Sequence, residues 1–444
     1  MSEELEVQQP EQQPKRKNVF RNRNYTLVFL GALVSNVAAL FYSFAVSFYI
    51  LKITGNNALI QGLYLAVGGI TFCIVSLFGG VIADRFNKAK IMYICDYLKG
   101  AIIIGFTLFL MFVIKSNEWK IAGLFIVTVL GNILGGLFSP ASSALLPQIV
   151  EEDQFQQAES YFSILSSFQS IFGVVLAGIL YTMVPINVLF FIVGGCYIVS
   201  AISEMFIKYE SKFERRDEKL TTKAVFGDIK DGFKYIVSIR ALLVLMICIL
   251  FINFFFSPVF NNFIPYFIET DVNGSSYLFH ETLEPEMWSS FFSVGMGVGS
   301  LIAGIVMSII QQVKKSNHLI RYSMLGVTIL LVLIAVFYGL LEHNIVDINT
   351  VLISYLIGSF LLGAIIILIN IPSYTAMLKI VDKDKLGKVT GVSNIGSQGL
   401  VPLSLFLGGL SITYIGSLGL LIICAAGLLV TSLILFFAPS VKTI

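Results

Sequence analysis

Asp96, Lys99 and Glu204 are charged side chains set inside long apolar stretches of this sequence. Ionisable groups are expensive in hydrocarbon, so those retained there serve ion pairing, proton transfer or substrate contact. Asp96 and Lys99 are three residues apart, which on a helix places them on one face within reach of each other. They are expected to neutralise each other, with Asp96 also a candidate proton carrier about 8 Å from one helix end at 1.5 Å per residue. Glu204 falls near the end of its stretch, where it can titrate or snorkel to the interface. No carboxylate is expected at the middle of any stretch, so any proton dependence is expected to run through Asp96 or Glu204.

Other chemistries lack their residues. The three histidines, His280, His318 and His343, have no metal-ligand spacing. The five cysteines, Cys73, Cys95, Cys196, Cys248 and Cys424, are scattered through apolar runs and fit neither a disulfide framework nor a zinc site. A phosphate loop of the Gly-x-x-x-x-Gly-Lys-Ser/Thr type does not occur, which disfavours an ATP-driven pump. No metal, cofactor or enzymatic activity is expected.

The elements that position these groups follow from composition: 56% of the 444 residues are apolar and only 13% charged. About 20 apolar residues cross a bilayer as a helix. Runs of that kind lie near 25–51, 58–83, 91–114, 119–146, 160–184 and 186–207, then near 241–267, 287–312, 319–341, 348–376, 390–412 and 415–438. With the amino terminus inside, 25 of the 29 Lys and Arg residues fall on the cytosolic side, while Lys52, Lys115 and Lys120 fall outside. The positive-inside rule then places both termini in the cytosol. Residues 1–24 read as a disordered cytosolic tail, and 439–444 as a cytosolic tail.

The break at 208–240 divides the spans six and six. Within it, Phe226, Ile229, Phe233, Ile236 and Val237 share a helical face opposite Asp228, Lys230, Asp231 and Lys234, as in an interfacial helix or a solvated linker helix. The halves echo each other: Ile149-Val150-Glu151-Glu152-Asp153-Gln154-Phe155 and Ile380-Val381-Asp382-Lys383-Asp384-Lys385-Leu386 each follow the fourth span of their half. A duplicated six-helix unit explains the match.

After the second span the chain reads Gly80-Val81-Ile82-Ala83-Asp84-Arg85-Phe86-Asn87-Lys88-Ala89-Lys90, which resembles the signature of the major facilitator superfamily. Gly80 is expected to permit close helix contact, Asp84 to face a helix amino terminus, and Arg85, Lys88 and Lys90 to hold the loop inside. Asn87 stands where the family usually has Gly and is expected to tolerate a left-handed turn. Ser139-Pro140-Ala141, Ala144-Leu145-Leu146-Pro147-Gln148-Ile149-Val150 and Ala158-Glu159-Ser160 look like the macrolide-efflux and enterobactin-exporter branch. Asp231-Gly232-Phe233, the series Gly295, Gly297 and Gly299, and Leu386-Gly387-Lys388-Val389 agree with it. Span five, with Gly173-Val174-Val175-Leu176-Ala177-Gly178, lacks the proline of the antiporter motif found in many drug exporters.

The resemblance implies an all-α polytopic fold of twelve transmembrane helices, with six-helix bundles at 25–207 and 241–438. It implies a monomeric permease of the cell membrane, bacterial by resemblance, that exports a drug-like, macrolide-like or siderophore-like small molecule by alternating access. Protons are a candidate partner and nucleic acid is not. Movement of a lysophospholipid or other lipid between leaflets is the alternative. Spans one, four, seven and ten line the cavity in this superfamily, so Asn36, Asn132, Asn253 and Asn370 become substrate-contact candidates, against hydrogen bonding between helices. Phe41, Tyr42, Phe44, Phe254, Phe255 and Phe256 are candidate apolar walls. Gly131 with Gly135, and Gly295 with Gly299, are expected to let helices approach and slide, and Pro140, Pro258 and Pro372 to bend their spans.

Overall fold

The structure is a computed structural model describing residues 18–437 apart from 114, 152–153, 209–226, 228–229, 231–232, 310–315, 382–388 and 390–395. In the amino-terminal half the crossing helices are α1 (Arg23–Thr54), α2 (Ala58–Arg85), α3 (Lys88–Phe112), α4 (Asn117–Ile149), α5 (Ser160–Met183) and α6 (Ile186–Met205). The carboxyl-terminal half continues with α7 (Arg240–Val272), α8 (Met287–Ile309), α9 (Ser316–Glu342), α10 (Ile348–Ile380) and a last helical element, Val401–Phe437. Eleven described helices are long and apolar enough to cross a membrane. The last is broken at Gly416, whose φ of 78° suits a residue without Cβ. The candidate span that contains it begins at Gly396, so the break makes two crossings, α11 (396–415) and α12 (417–437), and a total of twelve.

Local chemistry sets the helix starts. Asn22, Asn57, Asn87 and Asp347 accept backbone N–H bonds at the first turns of α1, α2, α3 and α10, each worth about 1 kcal/mol. Asn87 is therefore an extended N-cap, with φ −62° and ψ 114° and its side chain accepting from Lys90 N at 3.0 Å. The left-handed turn expected there does not occur, because capping α3 supplies a better use for the amide.

Water cannot satisfy backbone groups in hydrocarbon, so each crossing is helical, and the outer faces stay apolar, as at Ile126, Ile305 and Ile353. Between helices, small residues set the contacts. A Cβ on Gly79 would collide with Gly136 O, joining α2 to α4. Gly80, expected to make such a contact, has nothing within 4 Å of a Cβ; nor does Gly131, while Gly135 meets Phe72 alone. The close approach belongs to their chain neighbours Gly79 and Gly136, one helical step round, and Gly131 and Gly135 face open space. Gly295 and Gly299 do pack tightly, against Ser359 and Phe360 of α10. Pro140 and Pro372 lie within continuous helices, whereas Pro258 is followed by a wider π turn at Val259–Phe263.

Odd-numbered helices begin on the face that carries Asn18; the opposite face is called the far face. The halves meet toward the far face. Gly62 of α2 abuts Leu405 O and the Gly409 Cα, Gln61 Nε2 donates to Asn261 O at 3.4 Å, and Ser290 Oγ donates to Val174 O at 3.0 Å. Gly69 meets Pro402 at mid-depth. Between the halves, much of the linker lies outside the described residues, Phe226, Asp228, Ile229 and Asp231 included; residues 233–238 are helical. Of the expected apolar face, Ile236 is buried against Leu242, Met377, Val381 and Val389, while Phe233 and Val237 are exposed.

Candidate functional site

The polar core of the amino-terminal half forms where α1, α3 and α6 cross. Gly100 and Gly194 bring α3 against α6 at mid-depth, which sets the Asp96 turn beside the Ser200 turn. Asp96 is wholly buried; its Oδ1 lies 3.5 Å from Lys99 Nζ and its Oδ2 accepts from Ser200 Oγ at 2.8 Å. Ser200 Oγ also lies 3.0 Å from Gly31 O of α1. The Lys99 ammonium stands 4.9 Å from the Phe138 ring centroid and 5.2 Å from that of Tyr197, a cation–π setting. The expected ion pair is present. It lies deeper than the sequence suggested, because α3 begins at Lys88 rather than near residue 91.

Glu204 corrects the sequence reading. It does not snorkel: it is fully buried, one α6 turn below Ser200, against Gly31. Neither carboxylate oxygen has a hydrogen-bond partner. A charged carboxylate without donors carries a large desolvation cost; of its charged neighbours Asp96 would add repulsion to that cost and Lys99 would offset part of it. The helical spacing of Tyr197, Ser200 and Glu204 carried the signal, since i, i+3, i+7 residues share a face.

Lys99 also faces a partly open cavity of about 380 Å³ lined by α1, α2, α3, α4 and α6. Tyr42, Tyr64, Phe72, Thr128, Asn132 and Tyr197 stand in its wall. The space exists because Gly131 and Gly135 project nothing into it. Asn132 Nδ2 donates to Thr128 O at 2.9 Å. The hydroxyls of Tyr42 and Thr128 are buried and close together, yet form no hydrogen bond of regular geometry.

The other candidates are dispersed. Asn36 and Asn370 are exposed. Asn253 Nδ2 donates to Ser397 O at 3.0 Å, a bond within the carboxyl-terminal half. Phe41 is packed in the core of the amino-terminal half, and Phe254 stands edge-on to Phe255; neither borders the Lys99 cavity. Asp84 and Arg85 lie on helical backbone, but their side chains are outside the described residues. Lys88 is buried and Lys90 exposed. Among the described residues no cluster of His, Cys, Asp and Glu could hold a metal ion.

Comparison with known proteins places this arrangement. The chain is 24% identical over 400 residues to the uncharacterised MFS-type transporter YvqJ of Bacillus subtilis (strain 168), covering 89% of this chain and 87% of the relative. It is 22% identical to macrolide efflux protein A of Streptococcus pyogenes, over 71% of this chain and 74% of that one. A crystal structure of a bacterial homologue of the iron transporter ferroportin, in an inward-facing state, superposes with a TM-score of 0.70 at 15% identity, covering 93% and 98% of the two chains. The sequence profile of the Major Facilitator Superfamily matches residues 27–403. A multi-pass membrane chain of twelve crossings, it belongs to the Major Facilitator Superfamily of transporters.

Proposed function

We propose that the chain is a secondary active transporter of the bacterial cell membrane that exports small apolar or amphipathic compounds by alternating access, with the Asn18 face in the cytosol. The observation that carries the reading is the junction between the halves: Gly62 on Gly409, Gln61 on Asn261 and Ser290 on Val174 lie toward the far face, beside a cavity at mid-depth. Contacts built on glycine and serine can part and re-form at small cost, as rocking of one half against the other requires. The Lys and Arg bias supports the orientation, and the likeness to a macrolide efflux protein supports export.

Within this reading, Gly80, Asp84, Arg85, Lys88 and Lys90 form the gating motif at the turn from α2 to α3. Asp96, Lys99 and Glu204 couple transport to protons. The groups facing Glu204 are Asp96, Lys99 and the Cys95 thiol from α3, and Gly31 with no titratable side chain from α1. Ser200 lies on its own helix.

The test is efflux from loaded cells of erythromycin, rhodamine 6G and a lysophosphatidylcholine, with and without the chain. Faster loss of erythromycin or rhodamine supports the reading. Movement of the lysolipid alone replaces it with lipid transport between leaflets. Uptake rather than loss contradicts export.

A further inference from the structure

The Lys99 cavity has a composition that selects a ligand. We propose that it binds a small aromatic anion, the ring held among Tyr42, Tyr64 and Tyr197 and the carboxylate on the Lys99 ammonium; it rests on the transport reading in treating this anion as cargo.

Size sets the first limit. At about 380 Å³, the space is near the lower end of the roughly 300–1,000 Å³ typical of small-molecule pockets. It has room for one or two fused rings. The wall of tyrosines and Phe72 offers ring faces and edges, which aromatic ligands meet in offset or edge-on geometry.

Charge sets the second. Among the described residues no carboxylate stands in the cavity wall. Asp96 is wholly buried behind Lys99, and Ser200 already occupies its Oδ2. The 3.5 Å from Lys99 Nζ to Asp96 Oδ1 is well beyond the roughly 2.7–2.9 Å of a tight charge-assisted bond, so the ammonium keeps donor capacity for a second oxygen. A cation entering the cavity would meet that ammonium directly. The Tyr42 and Thr128 hydroxyls, buried beside that of Tyr64, can rotate to donate to a carboxylate.

Third, the void is built rather than left over. A Cβ at Gly131 meets nothing within 4 Å, and one at Gly135 meets only Phe72 at 3.6 Å. Position 131 therefore accepts a side chain that fills the cavity without disturbing helix contacts.

The test uses the full chain in nanodiscs and calorimetric titration with three probes of one shape: 2-naphthoate, 2-naphthamide and 2-naphthylmethylammonium. Naphthoate is expected to bind most tightly and the ammonium not to bind. Gly131→Leu is expected to abolish binding of naphthoate and amide alike, with the melting temperature retained. Lys99→Gln is expected to weaken naphthoate at least about tenfold, the scale of one charged hydrogen bond, and the amide far less. Should Lys99→Gln fail to fold, Gly131→Leu carries the test alone.

Absence of naphthoate binding, binding of the ammonium as tight as naphthoate, or unchanged affinity in Gly131→Leu would each overturn the proposal. A chain that binds no naphthoate yet still exports erythromycin or rhodamine would leave the transport reading standing without this site. Gly131-sensitive naphthoate binding in a chain that exports none of the probes, naphthoate included, would do the reverse.

Discussion

Gly31 of α1 fits directly onto Glu204 of α6: a Cβ at position 31 would stand 3.1 Å from the Glu204 Cγ and 3.2 Å from its Oε1. The buried acid is thus held by shape, with no hydrogen bond to either oxygen. Gly31→Val should displace the Glu204 side chain and press on Ser200, at a cost of about 1–3 kcal/mol for overpacking. A thermal melt in detergent should show a clear fall relative to wild type, with Gly31→Ala in between. An unchanged melting temperature in Gly31→Val would contradict this packing.

A second prediction concerns the turn from α2 to α3. Asp84→Asn and Arg85→Ala, at the end of α2, should lower efflux severalfold while leaving protein levels near wild type, because this motif is assigned to gating rather than folding. Wild-type efflux in both variants would remove the assignment.

At the far face, burial pushes the Glu286 carboxyl above its ordinary range; its own backbone N–H and Lys52 oppose this, while Glu269 and Glu284 add to it. For an acid whose pKa is raised by folding, the cost of charging is absent below the unfolded value, about 4.3, and grows as pH rises through the folded one. Glu286→Gln should therefore melt above wild type at pH 8, with the difference vanishing near pH 4. A lower melting temperature for the variant at pH 8 would mean that the charged form is favoured.

Orientation is tested by chemistry at two serines. In a background without the five native cysteines, Ser275→Cys in the far-face loop should react with an impermeant thiol reagent on intact cells, and Ser211→Cys should not. The opposite pattern would invert the topology.

Hydropathy made the crossing helices legible, because a bilayer imposes one length and one composition on every span. The Asp96–Lys99 pair followed from local spacing. Glu204 was harder: distance from a helix end suggests snorkelling, but the outcome depends on Gly31, more than 170 positions away in sequence. Gly80 and Gly131 were misread for a related reason. Sequence shows which glycines are present, while the rotation of each helix decides whether Gly79 or Gly80 meets its neighbour. The Lys99 cavity was hidden too, since it is defined by side chains that five helices do not project. Tyr64 and Thr128, which border it, have no unusual spacing.

The central claim, that the far-face junction opens and closes under control of the buried acid, is tested most directly by electron–electron distance measurement. Spin labels would be placed at Trp119→Cys and Ile345→Cys, both exposed at the far face and one in each half, in the cysteine-free chain in nanodiscs at pH 5 and pH 9. The account predicts two distance populations whose ratio changes with pH, and a ratio that no longer responds to pH when Glu204→Gln is added. A single distance at both pH values, or a pH response unchanged by Glu204→Gln, would contradict it.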